Sequence, residues 1–64
     1  MGAIDRSGYR FEPEFSVINQ SGAIHVYHDG KFVEEIKFEF SGEFPEYNEI
    51  EKVVEQYCEV NGIE

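Results

Sequence analysis

Cysteine occurs once in this 64-residue chain, proline twice and tryptophan not at all, and only five residues are Lys or Arg. With Cys58 alone, neither an internal disulfide nor a zinc ribbon can form, so the usual staples of very small domains are ruled out. A lone thiol, without an apolar signal segment over the first residues, is the pattern expected of a cytoplasmic protein. No apolar run approaches the ~20 residues needed to cross a bilayer as a helix. Five basic residues against 14 acidic ones leave a formal charge of −9. Simple repulsion then opposes binding to nucleic acid or to an anionic membrane surface. The imbalance is concentrated: from Glu34 onward there are ten Glu and only Lys37 and Lys52. That half would attract a basic partner or a divalent cation, although an acidic surface also serves solubility.

Aromatic residues are plentiful, with six Phe and four Tyr. A domain of this size buries only about 60% of its unfolded surface. Each buried aromatic ring removes roughly 150–250 Å² from water, so the rings are the expected core material.

Along the chain, residues 1–8 hold two Gly, a Ser and both signs of charge without apolar periodicity, and are expected to be loose. Tyr9-Arg10-Phe11 alternates as a short strand would, but Pro13 lacks a backbone donor and belongs at a sheet edge. Phe15 and Val17 flank Ser16 with period two, and Asn19-Gln20-Ser21-Gly22 is turn chemistry, which predicts a first hairpin. The next strand, residues 23–28, alternates Ile24, Val26 and His28 with Ala23, His25 and Tyr27. Asp29-Gly30 tolerates positive φ at both central positions of a type I′ turn, the tightest hairpin connection. The third strand runs from residue 31 to about residue 40, with Phe32, Ile36, Phe38 and Phe40 on one face and Glu34 interrupting them. A bulge at Val33-Glu34 would turn that charge outward, and placement near the sheet end would also expose it.

Over residues 46–60, Tyr47, Ile50, Val53, Val54, Tyr57 and Cys58 recur at spacings of three and four, the signature of an amphipathic helix. Pro45 at the first helical position, or a capping box from Asn48 and Glu51, would start it. Asn61-Gly62 would close it. The predicted fold is α+β over residues 1–64 as one domain: a three-stranded antiparallel meander, β-β-β-α, with the C-terminal helix on one face. Its expected core is Phe15, Val17, Ile24, Val26, Phe32, Ile36, Phe38, Ile50, Val54, Tyr57 and Cys58.

Candidate chemistry is sparse. His25 and His28 are the only histidines, and residues three apart on a strand point to opposite faces, so they do not share a metal shell. A small-ligand or metal site would have to use His28, Asp29 and nearby carboxylates. Cys58 lies on the apolar stripe near the helix C-terminus, where burial and the helix dipole both disfavour a thiolate, which suits a core residue. The glycines at 22, 30, 42 and 62 sit at turns or caps and match no phosphate-cradling loop. No catalytic residue, metal ligand or cofactor is assigned, and a chain this short has little room for a water-excluding pocket beside a core, so an enzyme is not expected.

Geometry is more informative. One helix covers one face of a small sheet, leaving Ser16, Ile18, Ala23, His25, Tyr27 and Val33 on the other. A contiguous half-apolar face of this kind more often marks an interface than bare monomer surface. The N-terminal segment, bringing Tyr9 and Phe11, is one possible cover and a two-fold dimer another.

Three stretches together give the chain a resemblance: Phe11-Glu12-Pro13-Glu14-Phe15-Ser16-Val17-Ile18, residues 23–28 with Asp29-Gly30, and Val33-Glu34-Glu35-Ile36-Lys37-Phe38. The whole chain resembles the YbxH-like family of short uncharacterised proteins from Bacillus-type bacteria. The resemblance implies a bacterial cytoplasmic setting and carries over no activity, ligand or functional residue. The expected role is a small acidic, non-enzymatic interaction or regulatory protein, meeting itself or another protein, such as a basic one, through Ile18, His25, Tyr27 and Val33.

Overall fold

The computed structural model describes residues 2–63. Four strands, β1 (Ile4–Arg6), β2 (Tyr9–Ser16), β3 (Ser21–His28) and β4 (Lys31–Glu39), precede one helix, α1 (Tyr47–Val60). The sheet order is β1-β2-β3-β4, antiparallel throughout. The α+β class and the C-terminal helix agree with the sequence reading, but the sheet has four strands rather than three.

The additional strand arises within the N-terminal segment read as loose, where Ile4–Arg6 form β1; Met1 lies outside the described residues. Ser7 and Gly8 adopt φ of 47° and 85°, as Asp29 and Gly30 adopt 52° and 82°. Both pairs thus have the positive φ at two successive positions that a type I′ connection requires. The Ser7-Gly8 turn folds Ile4 back against Phe11. The two turns are neighbours, with Asp29 N–H donating to the Gly8 carbonyl at 3.3 Å and the Tyr9 and His28 rings stacked 4.1 Å apart.

β2 is one continuous strand. β1 pairs only with Tyr9, Arg10 and Phe11, so Pro13 falls where β2 has become an edge, the position a residue without an N–H tolerates. The turn to β3 occupies residues 17–20, with Gln20 at φ 52°. Gln20 also holds the chain beyond β4, since its side-chain amide accepts from Gly42 N–H at 2.8 Å and donates to the Gly42 carbonyl at 2.9 Å.

β4 contains the expected irregularity. Val26 pairs with Glu34 and Tyr27 with Phe32, leaving Val33 as one extra residue. Because side chains alternate with period two, one added residue reverses the face of everything before it. Phe32 therefore leaves the helix-covered face and joins Tyr27 on the other, 58% exposed. Glu34 does not turn outward as expected. It stays on the covered face opposite Val26 and reaches solvent at the sheet edge.

The core lies between the sheet and α1: Ile4, Phe11, Ile24, Val26, Ile50, Val54 and Cys58, with Tyr9, Ile36, Phe38, Val53, Tyr57 and Ile63 packed against it. Phe11 is fully buried, so it supports the helix side rather than covering the open face. Phe15 and Val17, expected inside, are exposed near the 17–20 turn, and Tyr47 is exposed at the helix start. Phe40 is buried, its ring edge-on to Phe15 at 5.6 Å. Gly22 lies between Phe15 and Phe38 in the register, where a Cβ would meet the Phe38 ring and stand 2.6 Å from the Glu14 carbonyl oxygen.

Glu46, without a side-chain capping bond, is the N-cap of α1, so neither Pro45 at the first helical position nor an Asn48–Glu51 box begins it. Pro45 and Ile50 instead occupy the two positions of a hydrophobic staple, and both are fully buried. The C-terminus closes as the sequence implies. Gly62 has φ 68° and Ile63 N–H donates to the Cys58 carbonyl at 2.8 Å, placing Ile63 against the core.

Candidate interaction face

The sheet surface turned away from α1 is built in cross-strand rows: Arg10–Tyr27–Phe32, then Glu12–His25–Glu35, then Glu14–Ala23–Lys37, then Ser16–Ser21–Glu39. The first row is aromatic. The Phe32 ring stands edge-on to Tyr27 at 5.8 Å and to His25 at 6.1 Å. Phe32 is exposed while Tyr27 and His25 are half-buried, and the cluster is held by the cross-strand pairing of the pleat.

The second and third rows are charged. His25 Nε2–H donates to Glu35 Oε2 at 2.9 Å, and Glu14 Oε1 stands 3.6 Å from the same nitrogen. A carboxylate only accepts, so this bond fixes the proton on Nε2. Arg10 donates from Nε to Glu12 at 2.9 Å along the same strand. The face thus presents an aromatic patch bordered by carboxylates, with Arg10 and Lys37 as its cations.

Of the four residues expected to form the surface, His25 and Tyr27 sit side by side on it. Val33 is the bulge residue beside Phe32 and is 45% exposed. Ile18 stands apart. It is 95% exposed in the 17–20 turn, and six residues of strand at roughly 3.3 Å each separate that end from Tyr27, about 20 Å. Sequence reading missed Phe32, although the Glu34 interruption of its apolar face was the signal that the strand changes parity there.

His28 lies on the opposite side from His25, stacked on Tyr9, with Asp29 Oδ2 3.7 Å from its Nε2. Among the described residues, no three or more of His, Cys, Asp and Glu are gathered to hold a metal ion. Cys58 is buried on the helix stripe. Among the described residues, no helix is long and apolar enough to cross a membrane.

Tyr57 has a displaced pKa. Its hydroxyl is pushed up to about 12 by partial burial first, and then by its hydrogen bond to Glu34 and the charge of that carboxylate. This contact ties α1 to the edge strand.

The chain is 67% identical over 58 residues, covering 91% of its own length and 92% of the relative, to uncharacterized protein YbxH of Bacillus subtilis (strain 168). No solved structure matches the chain. A family model described as a family of unknown function (DUF5370) matches residues 1–63. That match spans all four strands and the helix, and the chain belongs to this family of unknown function.

Proposed function

We propose that the protein is a non-enzymatic interaction or regulatory protein of the bacterial cytoplasm, and that it meets a protein partner through the open sheet face. The observation that carries this reading is the aromatic cluster on the face that α1 leaves bare, in which an exposed Phe32 stands against half-buried Tyr27 and His25. Exposed aromatic side chains bordered by polar ones are the composition of interaction hot spots. The carboxylates of Glu12, Glu14 and Glu35 favour a partner that presents a basic side chain next to an apolar one. Val33 extends the apolar patch, while Ile18, at the far turn, would form a separate contact.

The test is affinity capture from a Bacillus lysate with tagged protein, comparing the wild type with Tyr27→Ser/Phe32→Ser. Loss of one specific partner, with an unchanged melting temperature and partner retention by Ile18→Ser, is expected. Equal capture by both proteins would sink the reading.

A further inference from the structure

We propose that two copies of the chain pair edge to edge through β4, antiparallel, about a two-fold axis at Ile36. β4 is the terminal strand of the sheet, and its outer edge has no strand partner among the described residues. At nine residues it is longer than β1, β2 or β3. The direction of its backbone groups follows from a single bond, in which Phe40 N–H donates to the Gln20 carbonyl at 3.2 Å. Hydrogen-bonded and non-bonded pairs alternate along an antiparallel ladder. The register from Ser21–Glu39 to Val26–Glu34 is unbroken, so Phe38, Ile36 and Glu34 bond to β3. Glu35, Lys37 and Glu39 accordingly direct their N–H and C=O groups outward, where an added strand would pair with them.

Charge selects the register. An axis at Lys37 would set Lys37 against itself and Glu35 against Glu39 of the second copy. An axis at Glu35 would oppose two Glu35 carboxylates. An axis at Ile36 instead places Glu35 opposite Lys37 of the second copy and Lys37 opposite its Glu35, two equivalent pairs of opposite sign. The ladder then spans residues 33–39 and ends at the bulge. An axis at Phe38 also sets Lys37 against Glu39, but slides Glu35 opposite Ser41, beyond the end of β4.

A groove on the helix side of the same edge supports this arrangement. It is lined by Glu34, Ile36, Val53, Tyr57 and Val60, and Val60 is 77% exposed. A two-fold axis perpendicular to the sheet keeps both helices on one side and brings the two grooves together across the Ile36 pair. Dimerisation would thus continue the sheet and cover apolar surface in one step.

Two measurements test the proposal. Light scattering over a wide concentration range should show the mass rising from 7.4 kDa to twice that value. Amide exchange should show the Glu35 and Lys37 N–H groups becoming protected as the dimer forms. Glu35→Lys and Lys37→Glu should each weaken the dimer about tenfold or more, while the double swap Glu35→Lys/Lys37→Glu restores it, because the residues exchange roles across the axis. A monomer at millimolar concentration, or a double swap no better than either single one, would overturn the proposal. Should the single variants not fold, the wild-type mass and its amide protection decide alone. Tyr27→Ser/Phe32→Ser leaves the dimer intact, which separates this edge from the proposed partner face.

Discussion

The same three long strands build both faces of the sheet, and the faces have opposite characters. Beneath α1, Phe11, Ile24 and Val26 are fully buried in adjacent rows. One residue along each strand, Arg10, His25 and Tyr27 look the other way, and β4 adds Phe32 to them through its bulge. Aromatic content therefore does not separate the faces, since each carries Phe. Burial separates them. The Phe11 ring is enclosed by helix and sheet, while the Phe32 ring on the other side stays open to solvent.

The sharpest way to break this comparison is to truncate one ring on each face. Phe11→Ala should cost about 3–5 kcal/mol, because it empties a fully enclosed site. Phe32→Ala should stay within about 0.5 kcal/mol, as an exposed substitution does. Urea denaturation of the two variants checks both values. Equal losses would mean that Phe32 is packed in solution.

A smaller effect is expected at Gly22, where the covered face has room for backbone alone. Gly22→Ala sets a Cβ against the Phe38 ring and the Glu14 carbonyl, and overpacking of this kind costs about 1–3 kcal/mol. Ala23→Gly, one residue along on the open face, introduces no clash and should cost only the backbone freedom of glycine in a strand, about 0.5–1 kcal/mol, with thermal melts as the readout.

The mildest test uses pH. Tyr57 holds its proton to about pH 12 in the folded chain, against 10.0 for the free side chain. The folded state thus binds more protons than the unfolded state between those values, and stability falls as pH rises through that window. Below pH 10 this contribution is fully present. Tyr57→Phe should flatten the alkaline slope, and Glu34→Gln should reduce it by lowering the Tyr57 pKa. An unchanged slope in Tyr57→Phe would assign the alkaline loss to other groups.

Parts of this arrangement are legible in the sequence because their causes are local. The spacing of Ile50, Val54 and Cys58 places them on one helical stripe, and that stripe is the one buried. Asp29-Gly30 announces its turn, and Asn61-Gly62 its helix end, through residues that tolerate positive φ, as at Asp29, Gly30 and Gly62, and through an Asn61 that caps the last turn. The same chemistry exists in weaker form at Ser7-Gly8. There a serine stands where Asp or Asn would advertise a hairpin, so β1 is not apparent from composition. His25 and Tyr27 share a face by simple alternation. Phe32 joins them only because Val33 is inserted.

By itself, then, the sequence determined the fold class, the helix and its buried stripe, the Asp29-Gly30 hairpin and the lack of any disulfide. These depend on residues within one turn or one strand of each other. Tertiary structure alone decided that the first residues add a fourth strand, that Phe11 rather than Phe15 anchors the core, and that Phe32 faces away from the helix. The Phe32 outcome rests on strand register, where the single extra residue Val33 exchanges the two faces, and the other two rest on which strand positions come to lie beneath α1 and beside β1.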